Sequence, residues 1–249
     1  MVLEINKKIA IFNLKQIWFA DSPFDVDGAS RVIFKDCKKE FDCAGFTRHK
    51  MTTLIIDLTQ DLDKIWKDMD KSSCRYMIKR GEKEGVVVRI SKDPKDFKEF
   101  NKINNNLRKL KGLSGGEGME EYRKVGILFM AGYKGEILGG QLYIFDKNNF
   151  RLISAASKRL QVDNKKSVIV GSANRMILWE AIKYAKTIGT QEFDLGGYYM
   201  GTKKDEQKEK LNSFKESFGG RIAVRYDYLK DYSKIYKFLS LLKQKIFSR

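Results

Sequence analysis

The residues that could do chemistry are concentrated in one stretch of the chain, from Gln191 to Gly220. They comprise a carboxylate, two phenols and an ammonium group beside an aromatic ring: Asp194, Tyr198, Tyr199, Phe214 and Lys215. Glycine pairs stand near both ends, Gly196-Gly197 and Gly219-Gly220, where the backbone can adopt positive φ or approach a ligand closely. The stretch fits two interpretations: a strand followed by a loop and a turn, or a substrate cleft with its lid.

The surrounding sequence predicts the elements that would hold this stretch in place. An apolar strand ends at Asp194–Gly197, and a polar, lysine-rich loop is expected between it and Phe214. A helix with one apolar face precedes the strand, from Asn174 to Ile188, and Gly189 is its stop. A last strand follows from Arg221 to Leu229. Upstream, apolar segments joined by turns predict an antiparallel meander: Gly126–Gly132, Ile137–Phe145 and Phe150–Ala156.

A second group of candidate residues lies in a basic segment between Cys74 and Gly85, of sequence CRYMIKRGEKEG. A strand at Thr53–Leu58 and a helix carrying Trp66 are predicted before it. Arg75 and Lys79 are four residues apart, so a helix would place them on one face. On this pattern the segment is either a solvated basic helix or a cationic binding surface.

Two sets of motifs resemble the Fem-type peptidyltransferases, which use aminoacyl-tRNA to add amino acids to the peptide of a cell-wall precursor. The first is D-L-G-G at Asp194–Gly197, followed by F-K-x-x-F-G-G at Phe214–Gly220. The second is a strand ending in Asp57-Leu58, a tryptophan-bearing helix, and R-Y-x-I-K-R-x-E-K-x-G-V from Arg75 to Val86. The resemblance covers roughly residues 53 to 225.

The resemblance implies an α+β fold, a single GNAT-like (acyl-CoA N-acyltransferase-like) domain with a central mixed sheet flanked by helices. This domain would correspond to the second of the two GNAT-like halves found in the larger Fem enzymes. We therefore expect an N-terminal segment at residues 1–52, a remnant of a first half, and the acyltransferase domain at residues 53–230. Residues 231–249 are expected to form a basic amphipathic helix, and glycine-rich residues 111–118 a mobile loop beside the cleft.

The implied chemistry is acyl transfer to an amine, which needs positioning of two reactants and polarisation of an ester carbonyl. No Ser-His-Asp or Cys-His arrangement is evident in the sequence. By the resemblance, Lys215 would be the cation near the donor's 3′ end or the developing oxyanion. Tyr198 or Tyr199 would hydrogen-bond the reacting centre, and Asp194 would orient the amine.

The resemblance also implies two binding regions beside these catalytic residues. Phe214 would be a stacking platform for a base of the donor, next to Lys215 and the backbone of Gly196 and Gly197. Phe218 is expected to be a core residue. The phosphates of the acceptor would be held by three cations of the basic segment: Arg75, Lys79 and Arg80.

The function implied is transfer of an amino acid from aminoacyl-tRNA to an amine of a nucleotide- or lipid-linked cell-envelope precursor peptide of the peptidoglycan type. One alternative is an acyl-CoA-dependent N-acyltransferase acting on a nucleotide sugar or glycan. The pyrophosphate loop of GNAT enzymes, Q/R-x-x-G-x-G/A, has no match in residues 157–171, and this counts against the acyl-CoA alternative. A second alternative is a non-catalytic basic domain that binds RNA or a membrane. A homodimer could restore an acceptor site lost with the first half.

The composition of the chain limits its expected partners and its expected location in the cell. The net charge of +17 suits a polyanionic partner such as RNA, a nucleotide-linked substrate or an anionic membrane face. Three cysteines make no disulfide framework, and with His49 they lack the C-x-x-C pairing of zinc sites, so neither a metal nor a cofactor is expected. The charged N-terminus does not resemble a signal peptide. We expect a cytoplasmic protein. Peripheral binding at the inner membrane face stays open as an alternative.

Overall fold

The computed structural model describes residues 2–113 and 119–247, with side chains up to residue 242. The chain divides into two compact units, one formed by Met1–Thr52 with Val224–Arg249 and the other by Thr53–Ala223. Most of the glycine-rich segment expected to be a mobile loop, residues 114–118, lies outside the described residues. The interpretation of residues 1–52 as a remnant of a first half stays a prediction.

The larger unit is built on a mixed sheet with the strand order β4-β9-β8-β7-β6-β5. The strands β5 to β8 form an antiparallel meander, β8 pairs with β9 in parallel, and β9 pairs with β4 antiparallel. The strands are β4 (Thr47–Asp57, which begins in the other unit), β5 (Val87–Ser91), β6 (Gly126–Tyr133), β7 (Glu136–Phe145), β8 (Asn149–Ser157) and β9 (Glu192–Gly197).

Helices cover both faces of this sheet. Along β6, Ile127, Phe129 and Ala131 belong to the apolar cluster of α4, because alternate side chains of a strand share a face. Met130, which points the other way, lies with Phe100 of α3 at Gly140. The helices of the unit are α1 (Leu62–Asp68), α2 (Tyr76–Glu84), α3 (Pro94–Leu110), α4 (Asn164–Thr187) and α5 (Glu206–Glu216), with a π-helical turn at Lys71–Arg75.

The smaller unit contains the two ends of the described chain. Its strands have the order β1-β2-β3-β10, in which β1 and β2 form an antiparallel hairpin and β2 lies parallel to β3. A small apolar cluster around Ile17, Phe34 and Tyr228 forms its core. Its elements are β1 (Leu3–Ile9), β2 (Phe12–Trp18), β3 (Arg31–Cys37), β10 (Arg221–Asp231, which begins in the larger unit) and α6 (Lys234–Phe247).

The structure corrects two sequence-based predictions. The lysine-rich segment predicted to be a loop up to Phe214 contains the helix α5, capped by the side chain of Asp205, which accepts a hydrogen bond from Lys208 N. The helix predicted from Asn174 begins ten residues earlier, at Asn164, where Asp163 is its N-cap. Among the described helices, none has the combination of length and apolar character needed to cross a bilayer.

Candidate active site

The D-L-G-G motif lies where two neighbouring strands of the larger unit cease to pair. β8 and β9 are paired only from Asn149 opposite Glu192 to Arg151 opposite Asp194. Gly196 then adopts φ of +77°, a conformation that favours glycine, and turns the backbone out of the regular ladder. The last carbonyl groups of β9 are thus available to partners other than β8.

A buried ion pair closes the paired region. The guanidinium of Arg151 donates to one oxygen of Asp194, and the hydroxyl of Thr53 donates to the other. The backbone N–H of Gly196 also donates to Asp194, at 2.6 Å. All three side chains are buried. The carboxylate predicted to orient the amine therefore has three donors of the protein itself, and it fixes the turn at Gly196.

Lys215 joins the two halves of the first motif. It lies in the last turn of α5, and only 6% of its surface is exposed. Its ammonium donates to the carbonyl oxygen of Gly196 at 3.1 Å and to the carbonyl oxygen of Gly197. An ammonium has three hydrogens, so these two bonds leave one donor for a further acceptor. The motifs D-L-G-G and F-K-x-x-F-G-G thus meet at one nitrogen atom.

The chain reaches this arrangement through a sharp turn after α5. Gly219 and Gly220 both have positive φ, of 76° and 96°. A Cβ at Gly220 would lie 2.5 Å from the carbonyl oxygen of Ile55, so only glycine fits where the chain passes β4. Phe218, just before the turn, is buried in the main apolar cluster, as predicted. This buried phenylalanine anchors the end of α5 and with it Lys215.

Burial alters the acidity of Lys215. Loss of solvation lowers the pKa of its ammonium from 10.5 to about 8, against the opposing attraction of Asp194. The group is therefore largely protonated at neutral pH, and its neutral form becomes abundant in mildly alkaline solution. A lysine with this pKa can act as a cation and exchange a proton close to physiological pH.

We expect this pKa to appear in the stability of the protein. Between pH 8 and 10.5 the unfolded chain binds more protons at Lys215 than the folded one, so stability should rise with pH. The free energy of unfolding of the wild type, relative to Lys215→Met, should increase by about 3 kcal/mol over that interval. Urea unfolding at a series of pH values measures this difference. The matched control is Lys210→Met, which removes an exposed lysine of the same helix.

The ring of Phe214 is already in contact with a cation. It is half-buried, packs edge to face on Phe218 with ring centroids 5.4 Å apart, and carries the guanidinium of Arg175 5.0 Å from its centroid. This geometry is that of a cation–π contact. The face available to a base of the donor is thus shared with Arg175, which the sequence did not single out.

Arg175 belongs to a group of three arginines, here called the arginine cluster: Arg75, Arg159 and Arg175. Arg175 Nη1 lies 3.3 Å from the carbonyl oxygen of Gly171, and the Arg159 guanidinium also lies close to Gly171. Arg75 and Arg175 both act electrostatically on Cys74.

Burial lowers the pKa of Arg175, and the charge of Arg159 adds to this effect. The Nε atoms of Arg75 and Arg175 are buried without a hydrogen-bond partner in the described part of the chain. Such donors suit an anion.

The other two predicted acceptor-binding cations lie further along the chain, in α2. Lys79 is exposed on α2. The Nε atom of Arg80 lies 3.8 Å from a carboxylate oxygen of Glu84, one turn further along the same helix. Arg75 is linked to Arg175 because the charges of both act on the thiol of Cys74.

The two tyrosines predicted to contact the reacting centre bond to α5 and the segment before it. The Tyr198 hydroxyl donates to Glu216, and this bond raises the pKa of the phenol. The Tyr199 hydroxyl donates to the carbonyl oxygen of Lys203 at 2.6 Å. Asn212 holds the backbone of Tyr199 through two hydrogen bonds, of 3.0 and 2.8 Å. Both tyrosines therefore tie the end of β9 to α5.

Two of the three thiols lie in surroundings that disfavour the reactive thiolate. Cys37 and Cys74 are buried, and burial raises the pKa of each to about 12. Within the described ranges, no group of three or more His, Cys, Asp or Glu side chains is arranged to hold a metal ion.

The fold has clear relatives, although the sequence matches no protein-family model and no curated protein. A crystal structure of FemX superposes with a TM-score of 0.67 at 14% identity, over 95% of this chain and 85% of that one. L-PGS from Bacillus licheniformis superposes with a TM-score of 0.56 at 16% identity, over 98% of this chain and 85% of that one. The C-terminal domain assigned to a lysylphosphatidylglycerol synthetase from Agrobacterium fabrum superposes with a TM-score of 0.58 at 14% identity, over 99% of this chain and 87% of that one.

This chain has the FemX fold. The α+β architecture predicted from the resemblance, with a mixed sheet flanked by helices, is thereby confirmed. At these identities the similarity concerns the fold, and the chemistry has to be argued from the residues.

Proposed function

We propose that the protein is an aminoacyltransferase that moves an amino acid from aminoacyl-tRNA to an amine of a cell-envelope precursor. The observation that carries the proposal is the ammonium of Lys215 on the carbonyl oxygens of Gly196 and Gly197. It places one N–H donor, with a pKa near 8, at the point where β8 and β9 cease to pair. The FemX fold supports the same class of reaction.

In the proposed reaction the acceptor amine attacks the carbonyl carbon of the aminoacyl ester. The carbonyl oxygen becomes an oxyanion, to which Lys215 donates its remaining N–H. Collapse of the intermediate forms the amide and breaks the ester C–O bond. The amine loses one proton, and the leaving 3′ hydroxyl of the tRNA gains one. A fixed donor at the developing charge stabilises this transition state more than the ground state.

Asp194 has a positioning role in this proposal. Its carboxylate is occupied by Arg151, Thr53 and the backbone N–H of Gly196. Asp194 does not contact the acceptor amine in this proposal. It acts indirectly, because it fixes the Gly196 turn and thereby the two carbonyl groups that hold Lys215. Tyr198 and Tyr199 hold α5 against the same turn.

The arginine cluster supplies the contact to phosphate in this proposal. Arg75, Arg159 and Arg175 offer planar N–H donors that match phosphate oxygens. An acceptor peptide linked to a nucleotide or a lipid carries such phosphates, and it would be met at the cytoplasmic membrane face. The name of the Agrobacterium protein joins a lysyl group to phosphatidylglycerol, so a lipid headgroup is a second acceptor to test.

One observation disfavours acyl-CoA as the donor. In the structure the side chain of Asp163 accepts a hydrogen bond from Lys166 N and caps the start of α4. A carboxylate at a helix N-terminus takes the place that a pyrophosphate would need. This agrees with the absence of the Q/R-x-x-G-x-G/A motif before α4.

The test is incubation of the full chain with charged tRNA and a panel of acceptors, read by mass spectrometry. The panel contains nucleotide-linked and lipid-linked precursor peptides and phosphatidylglycerol, with acetyl-CoA as a competing donor. Addition of one amino acid to a precursor peptide is the expected result. Transfer from acetyl-CoA alone, or no transfer to any acceptor, would contradict the proposal.

Binding of tRNA should depend steeply on salt, because the positive charge of the protein displaces counterions from the phosphates. For roughly four phosphate contacts, the affinity should fall about a hundredfold between about 50 and 200 mM salt. Fluorescence anisotropy with labelled tRNA measures this. An affinity that does not change with salt would show that the net charge of +17 does not serve RNA.

A further inference from the structure

Helix α6 presents its apolar side chains to solvent. Four of them, here called the α6 stripe, recur at helical spacing, and their exposed fractions are 66, 62, 47 and 42% for Ile235, Phe238, Leu239 and Leu242. A helix at the surface of a globular unit normally turns such a stripe towards the core. Along its described side chains, α6 does the reverse.

The face that α6 turns towards its own unit is more polar. Ser240 accepts a hydrogen bond from Arg31 Nη2 at 2.9 Å. The ring of Tyr236 lies 4.8 Å from the guanidinium of Arg31 and packs at a tilt on Phe12, with ring centroids 5.1 Å apart. These contacts fix the rotation of the helix about its axis. The α6 stripe is therefore exposed by construction, because turning it inward would break the contacts of Tyr236 and Ser240.

The same unit exposes further apolar residues next to α6. Ile9 and Ile11, at the turn of the β1–β2 hairpin, are exposed, and Ile11 has 79% of its surface in solvent. Phe12 follows directly and is the residue that packs on Tyr236. The hairpin turn thus lies beside the first turns of α6.

The charges near the stripe favour an anionic partner. Residues 232–249 contain five Lys or Arg and no Asp or Glu, and the first turn of α6 has no acidic residue. Lys234 and Lys237 are exposed, and Lys234 precedes Phe238 by one turn. A second copy of this chain would bring another net charge of +17 against them, whereas an anionic lipid surface attracts them.

We propose that the α6 stripe, with Ile9 and Ile11, binds an anionic lipid surface. α6 then lies in the interface with its leucines, isoleucine and phenylalanine among the acyl chains and its lysines at the headgroups. The inference does not depend on the proposed reaction. It rests on the orientation of one helix, and it holds for any function of the larger unit.

The test is co-sedimentation of the full chain with vesicles of phosphatidylcholine, with and without phosphatidylglycerol. The wild type should bind the anionic vesicles, and the bound fraction should fall at high salt. Phe238→Asp/Leu242→Asp should weaken partitioning about tenfold or more, because both apolar contacts are lost and two negative charges are added. The matched control, Val87→Asp/Leu110→Asp, adds the same charge at two exposed apolar positions of the larger unit and should bind as the wild type does.

Three further measurements make every outcome decisive. Circular dichroism shows whether each variant is folded, and Phe238→Ser/Leu242→Ser repeats the test without added charge. Sedimentation velocity detects self-association. Vesicle binding that is equal for the stripe and control variants would overturn the proposal, as would its absence for the wild type. Self-association that the stripe variant abolishes, without vesicle binding, would assign the stripe to a second copy instead.

Discussion

Replacing Lys215 with alanine is expected to lower the rate of aminoacyl transfer about a hundredfold or more while the protein remains folded. The ammonium of Lys215 joins the end of α5 to the D-L-G-G segment, because it donates to the carbonyl oxygens of Gly196 and Gly197. Alanine removes the charge at the developing oxyanion and leaves the two carbonyl groups without this donor. Single-turnover measurements with preformed aminoacyl-tRNA separate this effect from binding of the donor.

Three variants make the Lys215 experiment specific. Lys215→Met keeps most of the volume, so a loss of rate shared with alanine reports the charge rather than a cavity. Lys215→Arg should rescue the rate only in part, because a planar guanidinium replaces a compact ammonium. Lys210→Ala removes an exposed lysine of the same helix and should transfer at the wild-type rate. Normal transfer by folded Lys215→Ala would contradict the catalytic role proposed for Lys215.

The sequence predicts the parts of the fold whose apolar periodicity is unambiguous. The strands β6, β7 and β8 are apolar runs bounded by turn residues, and all three were expected within a few residues of their observed limits. The helix α5 was missed because its residues are polar almost all round, with Leu211 and Phe214 the only large apolar side chains. Its better signal was local, an Asp at the N-cap followed by Glu206 and Lys210 one turn apart.

The sequence singled out some residues of the candidate site but not their arrangement. The motifs pointed to Lys215 and Asp194, since their types and spacing resemble a known pattern. Arg151 was missed, although a lone arginine in an apolar strand requires a partner in the core. That partner is 43 residues away, and only the parallel pairing of β8 with β9 brings them together.

The arginine cluster was hidden for a similar reason. Arg175 lies in the middle of α4, where the sequence pattern predicts only that it is part of a helix. Its contact with Phe214 arises because the end of α5 packs beside α4, which periodicity cannot show. Arg75 was identified from the motif, whereas its neighbours Arg159 and Arg175 carry no motif of their own.

Breaking the buried pair of Arg151 and Asp194 should destabilise the protein by about 3–5 kcal/mol. Asp194→Ala leaves the Arg151 guanidinium buried without its carboxylate, and Arg151→Met leaves a buried carboxylate without its cation. Urea unfolding should show the loss as a lower midpoint with an unchanged slope. The control is Arg221→Ala, which removes a partner of Glu192 in the same strand β9. That pair is 3.5 Å long and largely exposed on the arginine side, so its loss should cost at most about 1 kcal/mol.

The double variant Arg151→Met/Asp194→Leu separates structure from positioning. Because neither member of the pair is left as an unpaired buried charge, it should be more stable than either single variant, which a double-mutant cycle measures as a coupling energy. If Asp194 also positions the Gly196 turn, transfer should stay low in the stable double variant, since Gly196 N has lost its acceptor. Recovery of the transfer rate together with stability would mean that the pair serves the fold alone. An additive cycle would instead show that the two side chains do not stabilise each other, which would contradict the contact from which the positioning role is inferred.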